Sequence, residues 1–173
     1  MPPVNVHAKL AAAVVARCQA VTGADYLTDL SATGQIFRGF QLPEGAPLPA
    51  VGVTIHTDTE TTATTAQISR AYELRLFVFA STDDLTLTDL DPTGYGEMEE
   101  RVAAVKEDLR RTLEAPLLDA ALNAVAPGLG NGMRVTYLPG ATVGDSDNAP
   151  VGQGQMSLAV SFSLRRNTQN PGS

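Results

Sequence analysis

Few residues in this chain of 173 have the types and the spacing that catalysis requires. The two histidines are His7 and His56, and His56 is followed closely by an acid, Asp58. Two residues apart on a strand, these side chains share a face of the sheet without making the hydrogen bond of a catalytic pair. No nucleophile motif accompanies them. The sequence therefore favours a protein that is not an enzyme.

Pairs of aspartates are the other candidates for chemistry, because neighbouring carboxylates can bind a hard cation. The pairs are Asp83–Asp84, Asp89–Asp91 and Asp145–Asp147. None follows the calcium-loop pattern of alternating oxygen ligands, a glycine and a closing glutamate. The glycine-rich stretches "GYGE" and "GLGNG" also lack the strand-then-helix context of a phosphate or dinucleotide loop. We therefore predict solvated loops and turns, with no metal and no cofactor.

The composition argues against two classes of partner. The formal net charge is −7 and there is no tryptophan, so the clustered cations and stacking rings that bind nucleic acids are lacking. No stretch approaches the roughly 18 apolar residues of a membrane helix. The N-terminus lacks a basic segment followed by an apolar run. We expect synthesis in the cytoplasm, no export by a standard signal and no membrane partner.

Helical periodicity is clear in two segments. The first runs from Val4 to Thr22, with Asn5 as a plausible N-cap. Its apolar stripe includes Cys18, and we predict that this thiol is buried and packs as a small apolar group. Because Cys18 is the single cysteine, an intramolecular disulfide is excluded. The second segment runs from Glu97 to Leu113, and "LLDAALNAV" after it favours a short third helix.

The remaining periodic segments alternate as strands do. They are "PAVGVTIHT", "AYELRLFVFAS", "MRVTYL" and "QMSLAVSFSLRR", with a brief edge strand in "IFRGF". The order of elements predicts an α+β fold, with a mixed, mainly antiparallel sheet, helices packed on one face, and a long β-hairpin. The threonine-rich linker "DTETTATTAQ" of that hairpin is either a solvated arm or a mobile loop. Residues 1–166 form one predicted domain, and residues 167–173 a disordered tail.

The strand from Arg70 to Ser81 changes character half-way. In its first half, Tyr72 points one way and Arg75 the other, but its second half is apolar on both faces because of Phe77 and Phe79. A second cover must therefore lie over that half of the strand. The sequence leaves two alternatives, the chain's own helices or another copy of the protein.

Four stretches carry a resemblance to a known family. They are "IFRGFQLPEGAPLPAVGVTI", "YELRLFVFA", "EMEERVAAVKEDLRRTL" and the closing "MSLAVSFSL", and the similarity extends from about Val4 to Arg165. The chain resembles the tail terminator proteins of long-tailed bacteriophages, a family that includes the lambda minor tail protein U and related tail completion proteins.

The resemblance implies a structural virion protein without catalytic activity. Its fold would assemble into a hexameric ring that caps the tail tube, ends tube polymerisation and offers a joining surface to the head–tail connector. The implied partners are further copies of itself, the tail tube protein and the connector or neck protein. DNA would pass through the lumen without specific binding, which suits an acidic chain. The protein would reside in the neck region of the virion tail.

Two sets of residues are candidates for these contacts. The subunit-interface candidates lie on or beside the two-faced strand and are Tyr72, Arg75, Phe77 and Phe79. The lumen-facing or tube-facing candidates are acids expected on loops that flank the long strands, namely Asp58, Glu60, Asp83 and Asp84. One alternative is a head-completion or neck protein of the same virion. Another, from a different class, is a small soluble enzyme or ligand-binding domain.

Overall fold

The computed structural model describes residues 5–62, 67–129, 131–138, 144–145 and 151–165. Within these ranges, three helices and six strands form an α+β fold, as the sequence predicts. In chain order the elements are α1 (Val6–Gln19), β1 (Ile36–Arg38), β2 (Ala50–Thr62), β3 (Gln67–Ser81), α2 (Tyr95–Thr112), α3 (Ala115–Val125), β4 (Asn131–Leu138), β5 (Gly144–Asp145) and β6 (Val151–Arg165).

All the described strands belong to one sheet. Their order is β1-β2-β3-β6-β4, and the two-residue β5 pairs with the first part of β6. β1 runs parallel to β2, whereas the other described pairings are antiparallel. β2 and β3 form a long hairpin that pairs from Ala50–Phe79 to Thr62–Ile68. The predicted mixed, mainly antiparallel sheet with a long hairpin is therefore confirmed.

The helices pack on one face of the sheet, which we call the helix face. Alternate residues of β3 point into this layer, and Leu74, Leu76 and Val78 are fully buried there. Glycines in β6 let α2 come close to the sheet, because a Cβ atom at Gly152 would lie 2.5 Å from Met98 Cγ. The helix face thus holds the main core and confirms the predicted layer arrangement.

α1 begins and packs as its sequence predicts. Asn5 Oδ1 accepts the backbone N–H of Ala8 at 3.0 Å, which caps the helix. Cys18 is buried in the core, and this burial raises the pKa of its thiol to about 12. The prediction of a buried thiol is confirmed. α1 ends at Gln19, before the predicted end, and residue 4 lies outside the described residues.

The second and third helices follow each other closely. α2 begins at Tyr95, two residues before the predicted start. α3 carries Pro116 in its first turn, where a missing backbone N–H costs no helical hydrogen bond. None of the helices in the described ranges is both long and apolar enough to cross a membrane.

The hairpin is longer than the alternation of apolar residues indicated. β2 continues through the threonine-rich segment to Thr62, and β3 begins at Gln67. The described part of the linker is therefore paired strand with exposed side chains at residues 56–60, which agrees with the solvated-arm alternative. Residues 63–66, Asp147 and the predicted disordered tail at 167–173 lie outside the described residues.

Candidate subunit interface

The apolar second face of β3 is covered by a part of the chain that we did not expect. Phe79 is buried on the face opposite the helices, which we call the open face, and its ring lies 6.0 Å from that of Phe37. Leu42 and Leu48, from the segment between β1 and β2, pack against the same cluster. Phe79 is therefore covered neither by the helices nor by another copy, and it has no surface left for a subunit contact.

Tyr72, another of the interface candidates, does not lie at the surface. It shares the parity of Leu74 along β3, so it faces the helices, and it is buried. Its ring stacks on Phe162 with centroids 5.8 Å apart, and its hydroxyl accepts a hydrogen bond from Arg70 Nη1 at 3.3 Å. Burial raises the pKa of this hydroxyl. Tyr72 is a core residue of this chain.

The remaining two interface candidates do share an exposed site. Arg75 and Phe77 line a groove of about 320 Å³ on the open face, together with Phe40 and His56. Phe40 is 61% exposed, and its ring centroid lies 6.3 Å from that of Phe77. We call this site the phenylalanine groove; its lining residues are Phe40, Thr54, Ile55, His56, Arg75 and Phe77.

The electrostatics of the phenylalanine groove are mild. Arg75 Nε donates to Glu73 Oε1 at 3.1 Å, an ion pair that lies half-buried on the surface of the strand. Thr54 donates its hydroxyl to the backbone carbonyl of Arg75 at 3.3 Å. The groove therefore combines apolar rings with one basic side chain that is already paired, which suits an apolar contact with a polar border.

Beyond the groove, most side chains on the open face are small. In register across the sheet, Glu73 lies beside Ala159 and Ala71 beside Ser161, and none of these four side chains is buried. Thr136 of β4 continues this row opposite Ala159. No described segment of the chain covers this area as the segment before β2 covers Phe79. Small residues let a neighbouring surface approach the sheet closely.

The four acidic candidates occupy two distant places. Asp58 and Glu60 lie on the hairpin itself and not on a loop, and their carboxylates are 3.7 Å and 2.8 Å from Arg70. Asp83 and Asp84 are exposed in the loop that follows β3. The strand from Tyr72 to Ser81 separates the two pairs by roughly 30 Å, at about 3.3 Å per residue. The structure therefore does not unite them in one acidic cluster.

The histidine–aspartate pair is not assembled. The register of β2 shifts between Ile55 and Thr57, which makes His56 the extra residue of a β-bulge. His56 consequently borders the phenylalanine groove, whereas Asp58 lies opposite Tyr72 and faces Arg70. The expectation that the two share a face is wrong because the bulge interrupts the alternation.

Of the aspartates at 89 and 91, Asp91 is explained by local structure. Asp91 accepts the backbone N–H groups of Tyr95 and Gly96 at 2.9 Å and 2.7 Å, so it caps α2. The N–H of Gly96 contributes most to holding the pKa of this carboxyl below its ordinary value. Among the residues that the structure describes, no group of three or more His, Cys, Asp and Glu side chains could hold a metal ion.

A second cavity bears on the alternative of a ligand-binding domain. It has a volume of about 580 Å³ and lies between residues 27–35 and α2. Its main polar side chains already have partners: Gln35 Nε2 donates to the carbonyl of Asp29, and Arg101 Nη1 to that of Ser81. The cavity thus offers an apolar wall with few free polar groups to orient a ligand.

Sequence reasoning missed Phe40, the most exposed ring of the groove. It is the last residue of the predicted edge strand "IFRGF", but in the structure that strand ends at Arg38, and nothing in its pattern marked Phe40 as an exposed ring. Comparison with known proteins does not add a family to this geometry. No protein-family model matches the chain, and no curated protein matches its sequence.

Proposed function

We propose that this protein is a tail terminator of a long-tailed bacteriophage, a structural protein that acts through protein contacts. Six copies of the chain assemble into a ring that caps the tail tube and ends its polymerisation. The ring then offers a joining surface to the head–tail connector. The resemblance of the four quoted stretches to tail terminators supports this assignment.

One structural observation carries the proposal. The phenylalanine groove exposes Phe40 over Phe77 on the face of the sheet that the helices leave open. Exposed rings that converge in a groove are typical of contact sites between proteins, because burying them is favourable and they are rigid. The row of small side chains beside the groove extends the area over which a second copy can pack.

The charge of the chain fits a conduit for DNA. At a formal charge of −7 per copy, a ring repels the phosphate backbone, and DNA can pass without specific binding. Arg70 compensates Asp58 and Glu60 in part, so Asp83 and Asp84 are the less compensated acids of the four candidates. In the assembled virion, the protein would lie at the neck, in contact with the tube on one side and the connector on the other.

Light scattering behind a sizing column tests the ring. The expected mass is near six times 18.1 kDa, at high protein concentration or once purified tail tubes are added. Phe40→Ser should lower the fraction of assembled protein. The matched control is Leu27→Ser, because Leu27 is similarly exposed, at 68%, but lies outside the groove.

Two results would contradict the proposal. One is a monomer at every concentration that also fails to bind tail tubes in electron micrographs. The other is a ring that Phe40→Ser and Leu27→Ser weaken equally, since the groove would then have no special part in assembly.

A further inference from the structure

The loop between β3 and α2 exposes large apolar side chains. Leu90 is 99% exposed and Leu87 is 63% exposed. A single exposed leucine is ordinary on the surface of a folded protein, but two on one short loop make a small apolar patch. We call residues 82–94 the leucine loop.

The leucine loop is held in place by hydrogen bonds. Thr88 and Asp91 exchange backbone hydrogen bonds at 3.0 Å and 3.1 Å, which closes the turn that carries Leu90. Glu97 Oε2 accepts the backbone N–H of Thr86 at 2.7 Å. Arg101 donates to the carbonyl of Asp83 at 2.8 Å. The leucines are therefore presented on an ordered backbone, and a partner would not have to order the loop on binding.

The leucine loop and the phenylalanine groove lie on different sides of the molecule. Glu97 and Arg101 fasten the loop to α2, which belongs to the helix layer. The groove lies on the open face, on the other side of the sheet. A contact between the two joins unlike surfaces of two copies, so it is head-to-tail, and a pair of copies keeps one free groove on one copy and one free loop on the other.

The two surfaces are also complementary in chemistry. The groove, of about 320 Å³, offers the rings of Phe40 and Phe77 to an aliphatic side chain. Asp89 lies between the two exposed leucines and is itself exposed, whereas Arg75 and His56 border the groove. An acidic residue flanked by leucines thus meets an aromatic groove with one arginine at its border, which pairs with Glu73 through its Nε.

We propose that the leucine loop of one copy docks into the phenylalanine groove of the next copy. This inference rests on the proposed ring and names the two surfaces that build it. Repeated around the assembly, one such contact per neighbouring pair closes the ring without a two-fold axis.

Cross-linking of single-cysteine variants tests the contact directly. Leu90→Cys and His56→Cys are purified separately, mixed at high concentration and treated with a mild oxidant such as copper phenanthroline. Cys18 does not interfere, because it is buried. We expect a disulfide-linked heterodimer that is at least tenfold more abundant than in a mixture of Leu27→Cys with His56→Cys. The double variant Leu90→Cys with His56→Cys should yield a ladder of linked chains.

An affinity measurement supports the cross-link. Leu90→Asp should raise the protein concentration needed for half-assembly by about tenfold to a hundredfold, the effect expected when a buried leucine is lost from a contact. The control Leu117→Asp, at a partly exposed leucine of α3, should leave that concentration unchanged.

The outcomes separate this inference from the proposed function. A hexamer by light scattering with no heterodimer above the Leu27→Cys control overturns the docking and leaves the ring. Homodimers of Leu90→Cys that form at least tenfold more readily than homodimers of Leu27→Cys also overturn it, because they indicate a two-fold contact. A ladder that extends without a closed end supports the docking and contradicts the ring.

Discussion

The two faces of the same sheet differ in what covers them. On the helix face, Leu74 and Leu76 of β3 are fully buried beneath the helices. On the open face, their neighbours Glu73 and Arg75 pair with each other at the surface, and only the end near Phe79 is covered. The alternation along β3 is the same for both faces. The helix face therefore holds the main core of the fold, whereas most of the described open face lies uncovered in the single chain.

The cover of the open face is local for a steric reason. Phe37 lies over Gly52, where a Cβ atom would approach the ring to 3.0 Å. Glycine at this position therefore lets the segment before β2 lie flat on the sheet. The cover ends at Phe40, which remains mostly exposed, and the groove begins there.

The largest expected effect on stability distinguishes the covered part of the open face, at Phe79, from the uncovered part, at Phe40. Phe79→Ala should lower the free energy of unfolding by about 4 kcal/mol, because the ring is buried beneath Phe37 and leaves a cavity. Phe40→Ala should change it by less than about 0.5 kcal/mol, as is usual for an exposed side chain. Urea unfolding measures both. A stable Phe79→Ala variant with an altered mass would show instead that Phe79 serves a subunit contact.

The next largest effect on stability compares one substitution on each face of the sheet. Leu76→Ala, on the helix face, should cost about 3 kcal/mol of unfolding free energy, through lost apolar burial and the cavity. Ser161→Ala, on the open face of β6, should cost less than about 0.5 kcal/mol. Equal losses at the two positions would contradict the division of roles between the faces.

A smaller effect concerns the polar anchor of the helix layer. Asp108 is fully buried in α2 and accepts the backbone N–H groups of Leu27 and Thr28 at 3.1 Å and 2.7 Å. Asp108→Ala leaves these donors without their acceptor and should cost about 2 kcal/mol in thermal or urea unfolding. Glu107→Ala, at its exposed neighbour, is the control and should be near neutral. Equal unfolding free energies for the two variants would show that the hydrogen bonds of Asp108 do not stabilise the fold.

The smallest effect is the pH dependence of the leucine loop. The pKa of the Asp91 carboxyl is lowered in the folded state. The cap that Asp91 provides therefore stabilises the fold fully at a pH above the ordinary aspartate pKa of about 3.9. This stabilisation is lost as the pH falls through the lowered pKa that Asp91 has in the folded state. Hydrogen exchange at the amides of Tyr95 and Gly96 should therefore accelerate, relative to intrinsic rates, in strong acid. Asp91→Asn should not show this additional step; an identical profile would exclude Asp91 as its origin.

Much of the fold could be predicted from local chemistry. The N-cap at Asn5, the buried Cys18 and the alternation of β3 all depend on residues within a few positions of one another. The layer arrangement followed from the order of these elements. The predicted start of α2 was late because its cap, Asp91, acts across a loop that has no periodicity.

The candidate site was predicted less well, since it depends on which distant segments meet. Arg75 and Phe77 do border an exposed groove, but Tyr72 and Phe79 are buried within the chain. The bulge at His56 changes the face of every following residue of β2, and no residue type in that segment announces it.

The sequence by itself determined the helices, most of the strands and the alternation of faces along β3, because side-chain alternation and helical spacing are local properties. The tertiary structure alone decided what lies over each face. Phe40 reaches Phe77 although 36 residues separate them in the chain. Such a contact follows from the free energy of packing the whole chain, in which the aperiodic segment before β2 finds its apolar partner on the sheet.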